Sequence, residues 1–150
     1  MPPRTLATCS FLMFLCIGVA SFAVRADSSD LVRIQVADNI YALVGPLTQR
    51  DRTNLGNNAT FGFIVTEAGV VLVDPGGSAK GAAAIAAQID AVTRQPVKWV
   101  INTGGQDHRW LGNGYFRDRG AEIIAATAAV ADQKERANDQ LLVLEALERI

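Results

Sequence analysis

The sequence predicts a layered α/β domain, in which helices pack on a β-sheet. Short β-rich runs and helical segments alternate along the chain in the order ββ, then ββαβαβα, and this alternation favours a layered sheet. Two near-continuous apolar runs, residues 70–74 and 97–101, are typical of buried central strands. The 150 residues are 49% hydrophobic and 19% charged, which excludes intrinsic disorder. A net charge of −1 excludes a polybasic nucleic-acid binder.

Residues 1–26 have the pattern of a secretory signal peptide. Arg4 provides the basic start, residues 6–24 carry no charge, and small side chains stand at the −3 and −1 positions of a cleavage site after Ala26. The alternative is an uncleaved membrane anchor, because the apolar stretch is about 20 residues long. We expect cleavage, which leaves residues 27–150 as one domain without a stable membrane anchor, in the periplasm or secreted.

Cleavage after Ala26 also removes Cys9 and Cys16, the two cysteines of the chain. The mature domain would then have no disulfide, no cysteine nucleophile and no thiolate metal site. An oxidising compartment such as a periplasm is compatible with that composition.

Six strands are predicted, and turn signals separate most of them. The first two form a hairpin around the Asp-Asn pair at 38–39, and a polar, irregular segment of residues 45–58 follows. The third strand alternates, with Phe61, Phe63 and Val65 on one face. The predicted strands are residues 31–36, 40–44, 60–66, 70–74, 97–101 and 121–125.

Three helices are predicted between and after these strands. Ser78 is placed to cap the first helix, because Pro75 and two glycines break the chain just before it. The last helix has no glycine, asparagine or proline stop signal, which favours a truncated or partial product whose natural partner is its own missing half. The alternative is a short protein whose exposed sheet is covered by another copy. The predicted helices run from Ser78 to about residue 93, near 110–119, and from 127 onward.

The search for a functional site narrows to two loops, because sites in layered α/β sheets form outside the carboxyl ends of strands. The first loop, residues 74–78, either binds an anion through backbone N–H groups or is only a turn that connects a strand to a helix. The second loop, residues 102–109, holds the only histidine of the chain. It is either a site or a capped, solvated loop in which Asp107 caps a helix and His108 is exposed.

Three segments of the sequence carry a family resemblance. Residues 62–76 read GFIVTEAGVVLVDPG, residues 100–103 read VINT, and residues 111–116 read LGNGYF. In order and spacing they resemble the metallo-β-lactamase superfamily, from about residue 32 to the end of the chain. The resemblance implies the first half of an αββα sandwich, with a mixed sheet and helices packed on one face. It also implies an incomplete domain, since the domain of that family has two similar halves.

The same resemblance implies zinc, which activates water for hydrolysis in this family. The family's loop motif is His-x-His-x-Asp-His, and a gapless alignment places its first two histidines on Gly104 and Gln106. A shift by one residue instead sets Asp107 and His108 in the place of the Asp-His pair. These two residues are then the expected metal ligands, and Asp107 is also the expected catalytic residue that orients the attacking water.

Three further side chains complete the site that the resemblance implies. Asp74 follows the neighbouring strand, and we expect it, together with Gln106 and Arg109, to support the loop or contact substrate. A hydrolytic zinc site usually needs three protein ligands, whereas the chain offers one histidine and, after cleavage, no cysteine.

Two functions therefore remain open at the level of sequence. The first is an exported hydrolase, or a fragment of one, that acts on a small ester, thioester or lactam-like molecule with metal-activated water. The second is a non-catalytic binding domain on the same fold, whose recognition loop comprises residues 106–109. Both take a small-molecule partner and no nucleic acid. One sheet face is also expected to lack its covering layer, which would permit self-association.

Overall fold

Six strands form a single mixed sheet, in which they lie side by side in chain order. The strands are β1 (Val32–Ala37), β2 (Ile40–Val44), β3 (Thr60–Thr66), β4 (Gly69–Val73), β5 (Val97–Asn102) and β6 (Glu122–Ala125). Neighbours from β1 to β4 are antiparallel, whereas β5 and β6 are added in parallel. This computed structural model describes residues 30–149, so the predicted signal peptide lies outside the described residues.

Three helices and one short 3₁₀ turn connect the later strands. They are α1 (Ala79–Asp90), the 3₁₀ turn (Asp107–Arg109), α2 (Asn113–Arg117) and α3 (Thr127–Arg149). The predicted order of strands and helices is thereby confirmed. Ser78 Oγ accepts a hydrogen bond from Gly81 N at 2.9 Å, which confirms the predicted cap of α1. The helix predicted near 110–119 is shorter than expected, because residues 110–112 and 118–120 form turns on either side of it.

The core lies between one face of the sheet and the two helices α1 and α2. Alternate residues of the strands point to this face, and the ring of Tyr41 stacks on Phe63 with centroids 4.7 Å apart. Ile85 and Ile89 of α1 and Phe116 of α2 cover these side chains. The buried core comprises Leu43, Phe61, Phe63, Val70, Leu72, Ala82, Ile85, Ile89, Val100, Phe116 and Ala121.

The opposite face of the sheet, which we call the open face, has a different environment. Its side chains are as apolar as those of the core, yet each of them is half-buried or exposed. No helix or loop of residues 30–149 buries them. This face therefore lacks a covering layer within the described residues, as the sequence predicted. The apolar members of the open face are Val32, Ile34, Ile40, Ala42, Val44, Ile64, Val71, Val73, Trp99, Ile101 and Ile124.

Helix α3 crosses the end of the sheet rather than either face. Gln133 Nε2 donates to Gly104 O at 3.1 Å, and Gln140 Nε2 donates to Gly105 O at 2.9 Å, so the helix is held to the loop after β5. Trp110 Nε1 donates to Gln140 Oε1 at 2.8 Å from the far side of that loop. Within the described part of the chain, none of the helices combines the length and the apolar character that crossing a membrane requires.

Candidate functional site

Asp74 holds the ends of two neighbouring parallel strands together. It follows β4 directly, and its own N–H donates to Ile101 O at 2.9 Å. Its carboxylate accepts hydrogen bonds from Thr103 N at 2.8 Å and from Thr103 Oγ1 at 2.7 Å. The backbone of Asp74 is left-handed, with φ of 61°, which turns the chain sharply into the following loop. Asp74 therefore ties the end of β4 to the start of the loop after β5.

The two loops at this end of the sheet are also tied by backbone and amide contacts. Gly76 N donates to His108 O at 3.1 Å, and Gly112 N donates to Gly76 O at 2.9 Å. Asn102 and Asn113 exchange side-chain hydrogen bonds of 3.0 and 2.8 Å, which closes the loop between β5 and α2. Both loops thus form one rigid platform, which presents residues 106–109.

Asp107 is buried on this platform and pairs with a guanidinium. It is 7% exposed, and its Oδ2 forms an ion pair with Arg50 Nη1. Its Oδ1 accepts hydrogen bonds from His108 N at 2.8 Å and pairs with His108 Nδ1 at 3.1 Å. The interpretation of a solvated loop capped by Asp107 is wrong, because Gln106 is the N-cap residue and makes no side-chain capping bond.

The environment of His108 favours the neutral form of its ring, because it lowers the pKa. Burial of the ring lowers its pKa from the ordinary value of 6.5, and the charges of Arg109 and Arg50 lower it further against the opposing effect of Asp74. Since the Asp107 carboxylate only accepts hydrogen bonds, His108 Nδ1 carries the ring proton and Nε2 is left with its lone pair. Burial also lowers the pKa of the Arg50 guanidinium.

The pKa of His108 makes a measurable prediction about stability. The unfolded chain takes up a proton on this histidine at a higher pH than the folded chain does. The contribution of neutral His108 to the free energy of unfolding is therefore complete above about pH 6.5 and is lost as the pH falls below that value. We expect an NMR titration of this single histidine to give a midpoint below 6.5, and His108→Gln to remove its share of the pH dependence of unfolding. A midpoint at or above 6.5 would contradict the buried, cation-flanked position.

A polar cavity of about 300 Å³ opens beside Asp107 and His108. Two guanidinium groups, those of Arg50 and Arg136, stand in its wall, and Arg136 Nε donates to Asp132 Oδ1 at 2.5 Å. Side-chain amides provide most of the remaining lining. The residues around the cavity are Gln49, Arg50, Asn58, Gln106, Asp107, His108, Arg136 and Gln140.

The donor set around this cavity does not fit a zinc ion. Among residues 30–149, no group of three histidine, cysteine or carboxylate side chains lies close enough to hold a metal. A Cβ added at Gly105 would overlap the Asp132 carboxylate, and one added at Gly104 would lie 3.1 Å from Arg109 Cδ. Side chains of this chain therefore fill the space beside both glycines, and a guanidinium already neutralises Asp107.

The structure brings all five expected site residues to one edge of the sheet. Arg109 Nε donates to Gln106 Oε1 at 2.8 Å, and Arg109 Nη1 contacts Thr103 Oγ1 and lies 4.0 Å from Asp74 Oδ2. Asp74 and Arg109 face each other across the loop, while Asp107 and His108 face the cavity. Their assigned roles in metal binding and catalysis stay predictions.

Sequence reasoning missed the residues that approach from distant segments. Arg50 belongs to the polar stretch before β3, where no periodicity marks individual positions. Arg136 and Gln140 belong to α3, and here a signal existed. Asp132, Arg136 and Gln140 recur every four residues, which places three polar side chains on one helical face.

Comparison with known proteins supports the fold and nothing finer. No family model matches the sequence, and no curated protein matches it. Solved metallo-β-lactamases do match in structure. The one from Pontibacter korlensis has a TM-score of 0.59 at 16% identity and aligns over 71% of this chain and 48% of its own. The enzyme from Hirschia baltica gives the same four values.

A third match is FIM-1 from Pseudomonas aeruginosa in its mono-zinc form. Its TM-score is 0.55 at 15% identity, over 69% of this chain and 46% of that one. The chain thus spans about half the length of the structures that it matches, which agrees with the first half of the sandwich. Identities this low show a shared fold alone, so activity and metal content do not follow from them.

Proposed function

We propose that this chain is a non-catalytic domain with a metallo-β-lactamase-like fold that binds a small anionic molecule. The ion pair between Arg50 and Asp107 carries the proposal. It joins a guanidinium to the carboxylate that the resemblance assigns to a metal. The side chains of Arg109 and Asp132 fill the space beside Gly104 and Gly105. In this proposal, arginine side chains therefore supply the positive charge that a metal ion would supply in the family.

The cavity suggests the chemical class of the ligand. Arg50 and Arg136 bring two guanidinium groups to its wall, paired with the carboxylates of Asp107 and Asp132, and the amides of Gln49 and Gln106 add N–H donors. Guanidinium groups bind carboxylates and phosphates through paired hydrogen bonds. A volume of about 300 Å³ suits a compact molecule with several anionic oxygens.

Citrate and inorganic phosphate test this proposal, with the signal of His108 as the reporter. We expect saturable shifts of that signal and a higher pKa of His108 when an anion is bound, because a nearby negative charge favours the protonated ring. Arg136→Ala should weaken binding by about tenfold, the amount that loss of one guanidinium contact predicts. Arg117→Ala, which removes an exposed arginine paired with Asp118, is the matched control. Equal affinities in these two variants would contradict the proposal.

A zinc-dependent hydrolase is the second candidate, because the structural matches are metallo-β-lactamases and one holds zinc. It would act on a small ester, thioester or lactam-like substrate. The fold favours it, but its metal would need ligands in addition to Asp107 and His108. Calorimetric titration with zinc separates the candidates. Tight binding at one equivalent that His108→Ala abolishes would support the hydrolase and overturn the binding domain.

We also propose export to the periplasm or the medium, on the basis of residues 1–26. The basic start, the uncharged apolar stretch and the small residues before Asp27 support cleavage at that point. The N-terminal sequence of the protein recovered from the exported fraction should begin at Asp27. A protein that retains Met1 or Pro2 would contradict cleavage.

A further inference from the structure

A continuous series of polar side chains connects the end of β4 to the wall of the cavity. Thr103 Oγ1 donates its one proton to Asp74 Oδ2 at 2.7 Å, so the same oxygen can accept the hydrogen bond from Arg109 Nη1. Arg109 Nε in turn donates to Gln106 Oε1 at 2.8 Å. The series therefore begins at Asp74 and ends at Gln106, which lines the cavity.

Arg109 is the centre of this series, because it is held at several points. Its backbone N–H donates to Gln106 O at 2.9 Å, so these two residues are joined through backbone and side chain alike. Its side chain lies along Gly104, where an added Cβ would be 3.1 Å from Cδ and 3.6 Å from Nε. A guanidinium presents its N–H groups in fixed directions, whereas the ammonium of lysine is a point charge on a flexible stem. The two side-chain bonds of Arg109 therefore depend on the shape of the guanidinium as well as on its charge.

The guanidinium determines which end of the Gln106 amide is left for the cavity. Because a guanidinium has donors and no acceptor, only the amide oxygen can pair with it. With Oε1 turned to Arg109, the Nε2 group and its two N–H donors remain for a ligand. The side chain of Gln106 is otherwise exposed, so this bond is what selects between the two orientations of the amide. An amide held in this way suits anionic oxygens and not a cation.

The carboxylates at this edge of the sheet also have their countercharges within the chain. Arg109 Nη1 lies 4.0 Å from Asp74 Oδ2, and Arg50 pairs with Asp107. The loop after β5 therefore needs no metal ion to balance them, which agrees with the lack of three clustered ligand side chains among residues 30–149. The series from Asp74 to Gln106 lies within residues 74–109, so it involves neither end of the sequence.

We propose that Arg109 is a positioning residue, which without a metal ion turns the N–H donors of Gln106 toward the cavity. That an anion receives these donors rests on the proposed function, whereas the orientation of Gln106 can be measured in the chain without ligand. NMR of the full chain should show a resolved Arg109 Nε–H signal, because its hydrogen bond slows exchange with water. The Gln106 amide signals should lie away from those of a freely rotating glutamine. Addition of EDTA should change neither.

Arg109→Lys keeps the charge and removes the geometry of the guanidinium. We expect the Gln106 amide signals of this variant to move to the positions of a freely rotating glutamine. We also expect its affinity for citrate to fall about fivefold, the size of effect typical of one hydrogen bond. Arg117→Lys, which changes an exposed arginine paired with Asp118, is the matched control and should alter neither measurement. Cooperative unfolding in urea confirms that each variant is folded.

Gln106→Glu provides a second test, which does not depend on whether Arg109→Lys folds. Glutamate keeps an acceptor for Arg109 but has no N–H donor, so citrate affinity should fall by at least about fivefold. If the native chain binds neither citrate nor phosphate while Arg109→Lys still frees the Gln106 amide, the anion-binding function fails and the positioning role is supported. Gln106 signals that Arg109→Lys leaves in place, native citrate affinity in either variant, or signals that EDTA changes would overturn the positioning role.

Discussion

Replacement of Asp74 by alanine is expected to lower the free energy of unfolding by about 3 kcal/mol. The carboxylate is 7% exposed and accepts both hydrogen bonds that Thr103 directs at it. Alanine would leave the Thr103 N–H without its protein acceptor and the Arg109 guanidinium without its nearby countercharge. It would also occupy a left-handed conformation, at φ of 61°, that costs alanine about 1 kcal/mol more.

Urea unfolding of three variants at one protein concentration measures this effect. Asp74→Asn keeps the Oδ1 acceptor and a residue that tolerates the left-handed region, so we expect about half the loss. Asp118→Ala removes an exposed carboxylate that pairs with its neighbour Arg117, and its effect should stay within about 0.5 kcal/mol. If Asp74→Ala is as mild as Asp118→Ala, the carboxylate does not hold the two loops together.

The central strands were the most predictable part of this fold. β3 has the bounds expected from its alternating phenylalanines, Thr60–Thr66, and β4 and β5 lie within one residue of the apolar runs that predicted them. A strand buried on both faces reads as a continuous apolar run, and a strand buried on one face alternates apolar and polar residues. Both patterns can be recognised directly in the sequence. The cap at Ser78 was predictable for an equally local reason, since its hydroxyl bonds a backbone group three residues away.

The site was predictable only as far as its contacts are local. Residues 106–109 lie within one loop, and their proximity follows from the chain itself. The pairing of Asp107 with Arg50 joins positions 57 residues apart, through a segment without hydrophobic periodicity. The position of α3 depends on amide contacts from Gln133 and Gln140 to backbone carbonyls, which a hydrophobic pattern does not record.

The segment that carries Arg50 owes its position to buried asparagines. Asn54 and Asn57 are both 0% exposed, although the sequence around them is polar and irregular. Asn54 Oδ1 accepts hydrogen bonds from Asp51 N and Gly56 N, each at 3.0 Å, and so orders the segment internally. Asn57 Nδ2 donates to Gly81 O at 2.9 Å and anchors the segment to the first turn of α1.

Asn57→Ala should therefore lower the free energy of unfolding by about 3 kcal/mol, because it leaves a buried carbonyl with one partner fewer and opens a cavity. Its Oδ1 also accepts from Gly77 N at 3.4 Å, and a Cβ at Gly76 or Gly81 would lie 2.6 Å from that oxygen. The two glycines thus leave space for this amide. Asn58→Ala is the matched control, since Asn58 is only partly buried and donates to Thr48 O at 3.1 Å.

The same variant links the anchor to the cavity, because Arg50 reaches Asp107 only while the segment stays docked on α1. Under conditions where Asn57→Ala is still folded, we expect its affinity for citrate to fall by about tenfold, because a displaced Arg50 guanidinium would lose its contact with the ligand. The titration of His108 should also move toward its ordinary midpoint as the site opens to water. Native affinity together with a native His108 titration in Asn57→Ala would show that Arg50 is positioned independently of this anchor.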